Sequence, residues 1–194
     1  MPDPPHRQVK DNVLSKETTD KALYLIELTP ATASKDEATA LIETVSNSLS
    51  ESAELIETQV SADHKLIFAI IESENTAFAP ALTAAIGERA SVVGPDEVRL
   101  VGAELDDIKK LKKDADYLVE WDIPAEITME QYLTRKKANA PKYAEVPEVS
   151  FLRTYVREDT AKCLCFYDAP DEDAVLRARK AVSTPIDRLF KLHA

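Results

Sequence analysis

The stretch FLRTYVREDTAKCLCFYDAPD, residues Phe151–Asp171, decides the fold. It contains two apolar runs, each about as long as a strand, separated by the polar turn Arg157–Ala161. An alternation of apolar and polar residues between turn residues is typical of a half-buried β-hairpin. A weaker copy of this pattern lies earlier in the chain, at Leu55–Asn75. The sequence therefore predicts two related hairpins.

Each hairpin lies within the same order of predicted elements, β-α-β-β-α-β. In the first half, Ala22–Thr29 is a strand, and Ser34–Glu37 has the pattern of a helix capping box. In the second half, Tyr117–Ile123 is the strand and Thr128–Gln131 is the capping box. The other predicted features are strands at Val98–Val101 and Ile186–Leu192, helix caps at Asn75 and Asp171, and a turn at Gly94–Asp96.

This order of elements is ferredoxin-like, with four antiparallel strands and two helices that cover only one face. A contiguous apolar sheet face does not stay exposed to water. We therefore predict an α+β protein in which two tandem ferredoxin-like units pack sheet to sheet as a single-chain pseudo-dimeric α/β barrel. The predicted divisions are a flexible tail at 1–20, domain 1 at 21–104, a charged linker at 105–115 and domain 2 at 116–194.

Composition excludes several classes of function. The net charge of −11 argues against binding to nucleic acid or to an anionic membrane surface. With three glycines in 194 residues, neither a P-loop nor a dinucleotide-binding turn can be written. The N-terminal stretch lacks the apolar region of a signal peptide, so we expect none, and no apolar run reaches the ~20 residues that span a membrane. The two cysteines suggest no disulfide framework, so we expect a cytoplasmic protein. We expect it to be a monomer or a homodimer of pseudo-dimers.

Three stretches of the second half, YLVEWDIPAEIT (Tyr117–Thr128), Phe151–Ala174 and TPIDRLFKL (Thr184–Leu192), resemble a family of small bacterial ferredoxin-like proteins. Most members have no known function, and one branch is nickel-binding or nickel-responsive. The most specific match is CFYDAP, Cys165–Pro170, whereas Ala178 stands where the family often has a His. The resemblance implies the fold, a dimer-like arrangement and a divalent metal as one candidate partner.

Charged residues interrupt the apolar strands at matching places. Glu27 and Glu120 occupy the same position in the two halves, and either they form paired carboxylates at the shared interface or each belongs to a structural ion pair. Arg153, on a neighbouring strand, is the expected partner of Glu120. Glu57 stands at the position of Arg153 in the first half, so the two halves are not equivalent there.

The second half also carries thiols and aromatic side chains. Cys163 and Cys165 point to the same face of a strand, either as packed apolar side chains or as metal or redox ligands. No histidine has a suitable spacing to complete a metal site with them. Tyr155 and Tyr167, with Trp121, either pack in the core or line a pocket.

The sequence leaves three functional hypotheses open. The first is a non-enzymatic protein that binds a small ligand or a metal ion near the sheet interface, with no cofactor identified. Its ligand-binding residues would be Glu27, Glu120, Arg153, Tyr155, Cys165 and Tyr167. The second is a cofactor-independent barrel enzyme that performs acid–base chemistry on a small organic substrate. The third is an interaction module that uses its tail or an exposed sheet edge.

Overall fold

The protein is a mixed α+β structure with eight strands in one antiparallel sheet. The computed structural model describes residues 20–111 and 113–192, so the predicted tail lies, except for Asp20, outside the described residues. The elements of the first half are β1 (Ala22–Pro30), α1 (Lys35–Ser48), β2 (Ala53–Val60), β3 (Ile67–Ser73), α2 (Ala79–Ile86) and β4 (Ala90–Val101). After α3 (Leu105–Lys109), the second half contains β5 (Tyr117–Asp122), α4 (Met129–Asn139), β6 (Ser150–Arg157), β7 (Lys162–Asp168), α5 (Glu172–Ala181) and β8 (Arg188–Lys191).

Polar caps begin three of the helices where the sequence predicted them. The Thr128 and Gln131 side chains form a complete capping box at α4. Asp171 accepts a hydrogen bond from the Ala174 amide at α5. Ser34 caps α1 by accepting from the Glu37 amide, but the Glu37 carboxylate accepts instead from Arg89 Nε at 3.1 Å.

The order of strands joins the two halves edge to edge. The sheet runs β2-β3-β1-β4-β6-β7-β5-β8, and β4 pairs with β6 from Val98 opposite Arg157 to Val101 opposite Thr154. Its two outermost strands also approach each other, because Ser61 forms a bridge with Leu192 beyond the ends of β2 and β8. The sheet therefore curls until its outer edges touch at one point.

Three apolar clusters fill this arrangement. One lies between the first half-sheet and α1 and α2, and includes Ile26 and Leu41. A second lies between the second half-sheet and α5, and includes Val119 and Val175. The third is built from both halves and buries Leu25, Phe68, Ile70, Val98, Leu118, Leu164 and Phe166. Each half-sheet is thus covered by helices on one face and by the other half on its second face.

Two local expectations were wrong. Gly94–Asp96 is not a turn between elements, because β4 continues through it with an irregular register against β1. Asn75 does not cap α2: it accepts from the Ala77 amide, and the helix begins later. The predicted linker at 105–115 contains the short helical turn α3, which buries Ile108, and its Lys109 forms ion pairs with Glu54 and Glu72 on the sheet.

Because of the irregularity in β4, substitution of Gly94 by alanine should lower stability more than the same substitution at Gly87. Gly94 has φ 100°, and an added Cβ would lie 2.5 Å from the Leu25 carbonyl oxygen, whereas Gly87 has φ 57° with no atom within 4 Å. The strain of a positive φ alone should cost Gly87→Ala about 1–2 kcal/mol of unfolding free energy. Gly94→Ala adds a backbone clash and should cost about 3 kcal/mol or more. Urea unfolding measures both, and equal losses would contradict the close approach.

Candidate ligand-binding site

The predicted carboxylates of β1 and β5 do meet, and a lysine lies between them. Lys162 Nζ is 2.8 Å from Glu27 Oε1 and 3.5 Å from Glu120 Oε1. Glu120 also accepts a hydrogen bond from Arg188 Nε, and Arg188 binds Asp122. Each carboxylate therefore already has a cation, as in a structural ion-pair network.

The expected pairing of Arg153 with Glu120 is wrong. Arg153 donates two hydrogen bonds to Glu57, with Nε–Oε1 and Nη2–Oε2 distances of 2.8 and 2.5 Å, and the Tyr155 hydroxyl donates to the same carboxylate. Glu57 and Arg153 each follow a register irregularity, in β2 and β6 respectively. These matching positions face each other across the shared interior, so the two halves complement one another with opposite charges.

A pocket lies on the opposite, helix-covered face of the second half-sheet. Its volume is about 50 Å³, and its walls come from β5, β6 and β7, from α4 and α5, and from the 3₁₀ helix Ala140–Glu145. Among the described residues, the lining side chains are Trp121, Tyr132, Arg135, Lys136, Asn139, Ala140, Tyr143, Phe151, Cys163, Cys165, Arg179, Val182 and Thr184. This set contains three cations and no carboxylate, in a chain whose net charge is −11.

Three polar atoms around the pocket are buried without a hydrogen-bond partner among the described residues. They are Tyr132 Oη, Arg135 Nε and Arg179 Nε. The Tyr132 and Arg179 residues are each 3% exposed. Burial raises the pKa of the Tyr132 phenol, so the phenol stays protonated at neutral pH and can donate. These three atoms are the candidate hydrogen-bond donors of the pocket, and the Tyr132 hydroxyl lies beside the Cys163 thiol, a weak acceptor.

Arg179 is held in place by its other nitrogens. Its Nη1 donates to the Tyr167 hydroxyl at 3.1 Å, and its Nη2 donates to the Pro185 carbonyl at 2.6 Å. The Tyr167 hydroxyl in turn shares a 2.7 Å hydrogen bond with Tyr143 Oη, whose pKa is raised to about 12, chiefly by burial. The predicted residue Tyr167 therefore lies behind the pocket and positions the groups that line it.

Both thiols lie at the pocket floor. Cys163 and Cys165 are free and buried, and the Thr154 hydroxyl donates to Cys165 Sγ at 3.1 Å. A hydrogen bond from Cys163, with the positive charges of Lys136 and Arg179, lowers the pKa of Cys165 despite its burial. The same interaction raises the pKa of Cys163, since the two thiols titrate as a pair.

Aromatic rings surround the cations. Tyr143 and Phe151 are stacked with centroids 5.5 Å apart. Lys136 Nζ lies 4.3 Å from the centre of the Phe151 ring, and the Arg135 guanidinium lies 5.4 Å from that of Trp121. Rings at these distances stabilise the cations and leave apolar surface beside them. The combination suits a ligand with an anionic group and an apolar body.

Most residues that line the pocket were not predicted from the sequence, although their helical spacing indicates that they share a face. Tyr132, Arg135, Lys136 and Asn139 recur at intervals of three and four, so they share one face of α4. Arg179 follows Val175 by four residues on the inner face of α5. Polar residues on a helix face that covers a sheet indicate a site, and the predicted residues Glu27, Glu120, Arg153 and Tyr155 lie on the other face.

Comparison with known proteins shows that part of the chain is similar to a family. Residues 117–192 match the model of the nickel responsive protein SCO4226-like family. The second half of the chain resembles that family. SCO4226 from Streptomyces coelicolor A3(2) has 17% identity over 40% of this chain and 94% of its own, with a TM-score of 0.35. No curated protein matches the chain.

Two solved structures resemble nearly the whole chain. The candidate chlorite dismutase TA0507 has 14% identity and a TM-score of 0.55, over 89% of this chain and 95% of its own. A candidate monooxygenase from Lactobacillus acidophilus has 11% identity and a TM-score of 0.50, over 89% and 92%. At these identities the likeness concerns the fold, which is that of dimeric α/β barrel proteins.

Two further findings concern metals and membranes. Within residues 20–111 and 113–192, no three His, Cys, Asp or Glu side chains converge as a metal-binding group. His6 and His193 lie outside this part of the chain. The helices that the structure describes are all too short or too polar to cross a membrane.

Proposed function

We propose that this protein binds a small carboxylate, or a similar organic anion, in the pocket between the second half-sheet and helices α4 and α5. The observation that carries the proposal is the set of three unpartnered donors, Tyr132 Oη, Arg135 Nε and Arg179 Nε, around one cavity. A buried donor without a partner costs about 1–3 kcal/mol, and a bound oxyanion removes that cost. Charge-assisted hydrogen bonds to arginine are also the stronger kind.

The size of the cavity limits the buried part of the ligand. One water molecule requires about 10–15 Å³ of such volume, so the cavity of about 50 Å³ holds only a few non-hydrogen atoms. A carboxylate with a short attached chain fits this space. A larger apolar body would lie against Phe151 and Tyr143 at the wall of the pocket.

The pocket belongs to one half of a duplicated arrangement. We propose that the chain is a fusion of two ferredoxin-like units, supported by the repeated order of elements and the core between the half-sheets. In the first half, Ile67 and Ala69 on β3 take the places of Cys163 and Cys165 on β7, opposite Leu28 and Ile26 of β1. The first half therefore serves as an apolar scaffold. Two free thiols suit a reducing compartment such as the cytoplasm.

A nickel site is the alternative that the family name suggests, and the donor set here does not fit it. Cys163 and Cys165 are two thiol ligands, whereas a structural site for a soft metal usually needs four converging nitrogen or sulfur donors. Arg179 and Lys136 beside them repel a divalent cation. Among the described residues, the groups next to the thiols are instead hydroxyls and cations, which bind anions.

Paired acids and amides test the proposal. Acetate and benzoate should raise the melting temperature in a concentration-dependent manner, because a ligand of the native state stabilises it. Acetamide and benzamide have nearly the same shape without the charge and should shift it far less. Calorimetric titration then gives the affinity. Equal shifts from acid and amide, or a shift from Ni²⁺ alone, would contradict an anion site.

Tyr132→Phe separates binding from stability. Its hydroxyl has no partner in the described part of the chain, so its removal should raise the unfolding free energy by about 1 kcal/mol while weakening acid binding about tenfold. Tyr143→Phe is the matched control, because it breaks the 2.7 Å bond to Tyr167 and should lower stability by about 1 kcal/mol. If Tyr132→Phe loses stability as Tyr143→Phe does, the hydroxyl has a structural partner and is no ligand donor.

A further inference from the structure

Two cysteine thiols lie at the floor of the pocket, although non-covalent binding of an anion does not require a thiol. Cys163 and Cys165 are both 1% exposed, yet both line the cavity, so the proposed ligand site gives access to them. They are the only cysteines of the chain. A thiol beside a bound ligand is either inert packing or a nucleophile, and its surroundings decide between the two.

The surroundings of Cys165 favour a thiolate. Thr154 on β6 donates its hydroxyl hydrogen to Cys165 Sγ. Arg179 from α5 and Lys136 from α4 add positive charge, and among the described residues no carboxylate lines the cavity. Arg135 and Tyr132 on α4, Cys163 on β7 and Tyr143 on the 3₁₀ helix complete the titratable groups of the lining. Neighbouring cations and hydrogen-bond donors are what make a cysteine reactive.

We propose that Cys165 is a nucleophile that forms a thioether with a small carboxylate carrying an electrophilic carbon, held in place by Arg179. This inference rests on the proposed anion site, which supplies the orientation. The cations would hold the carboxylate while its reactive carbon lies over the sulfur. Orientation of this kind is a large part of rate enhancement.

The step balances without a co-reactant. With an α,β-unsaturated acid, a sulfur lone pair forms the S–C bond at the β-carbon. The π electrons move to the α-carbon, which takes a proton from the neighbouring Cys163 thiol or Tyr132 hydroxyl, and water replaces that proton. With a haloacetate, the sulfur displaces the halide, so that one S–C bond forms and one C–halogen bond breaks. No oxidant is consumed in either case.

Iodoacetate and iodoacetamide provide the test, because they differ chiefly in charge. Alkylation rates are measured on the native full-length protein and on the same protein unfolded in urea, with peptide mapping to assign each site. Cys163→Ser leaves only Cys165, and Cys165→Ser leaves only Cys163. A cleft lined by one sign of charge concentrates counter-ions, so the iodoacetate-to-iodoacetamide rate ratio at Cys165 should be about tenfold higher in the native than in the unfolded protein.

Three outcomes are distinguishable. A native preference for iodoacetate at Cys165 that acetate suppresses supports the inference, and Arg179→Lys should retain it better than Arg179→Met. If acetate raises the melting temperature but Cys165 shows no preference, or Cys163 reacts instead, the inference fails while the anion site stands. If neither occurs, both fail. If a serine variant does not fold, peptide mapping of the alkylated wild-type protein still shows which of the two cysteines reacts.

Discussion

Glu57→Leu is expected to lower the unfolding free energy by about 3–5 kcal/mol, the cost of leaving a buried charge without its partner. The charge left without a partner is that of Arg153. Its side chain is 3% exposed, and it donates both of its hydrogen bonds to the carboxylate of Glu57. Tyr155 loses its acceptor in the same variant. Burial is the largest cause that raises the pKa of this phenol, and it remains in the variant, so the phenol stays protonated and does not supply the missing negative charge. Denaturant unfolding measures the loss.

The double variant Glu57→Leu/Arg153→Met is the control. Replacing both members of a buried pair by apolar side chains of similar size is often neutral, so most of the lost stability should return. Glu37→Leu is a second control, because its salt bridge to Arg89 lies at the surface, where a pair contributes little. If Glu57→Leu is no worse than Glu37→Leu, the pair does not join the two half-sheets as described.

Arg179→Met is expected to weaken binding of acetate or benzoate by about 2 kcal/mol or more, or about 30-fold in Kd. The variant removes the positive charge and the unpartnered Nε donor of the pocket. It also removes donors to Tyr167 and Pro185, so some stability is lost as well. Binding is therefore measured by calorimetry well below the melting temperature of the variant.

Two comparisons separate the charge from the structural role. Arg179→Lys keeps the charge but not the planar group, so it should bind better than Arg179→Met and worse than the wild type. Arg188→Met removes an arginine outside the pocket, from the network of Glu120 and Asp122, and should leave acid binding unchanged. If Arg188→Met weakens binding as much as Arg179→Met, the anion responds to overall charge and not to the pocket.

Local sequence patterns were enough to predict most helices and strands of this fold. The Thr128–Gln131 box and the Asp171 cap depend on residues within three positions of each other, so they could be located without tertiary information. The hairpin of β6 and β7 follows from an alternation of period two. The prediction of a turn at Gly94–Asp96 was wrong because a Gly-Pro pair is common both in turns and at strand irregularities. Only the pairing of β4 with β1 shows which of the two is present.

The predicted site residues fall into two groups, according to the face of the sheet on which they lie. Cys165 and Tyr167 were predicted as site residues, and they lie at and behind the pocket because their strand alternation fixes which face they share. Glu27, Glu120, Arg153 and Tyr155 alternate onto the opposite face, where each finds a partner of opposite charge or an acceptor. Alternation shows which residues share a face, but it does not show which face carries a cavity.

The two β-α-β-β-α-β halves, their hairpins and the resemblance of residues 117–192 to a nickel-responsive family all follow from the amino-acid sequence. The pairing of Arg153 with Glu57 depends on tertiary structure, since the two residues lie on strands from different halves that meet when the half-sheets pack. Tertiary structure also decides that α4 and α5 close over Cys165 with unpartnered donors. Capping and alternation act over a few residues, whereas ion pairing and cavity shape depend on segments far apart in the chain.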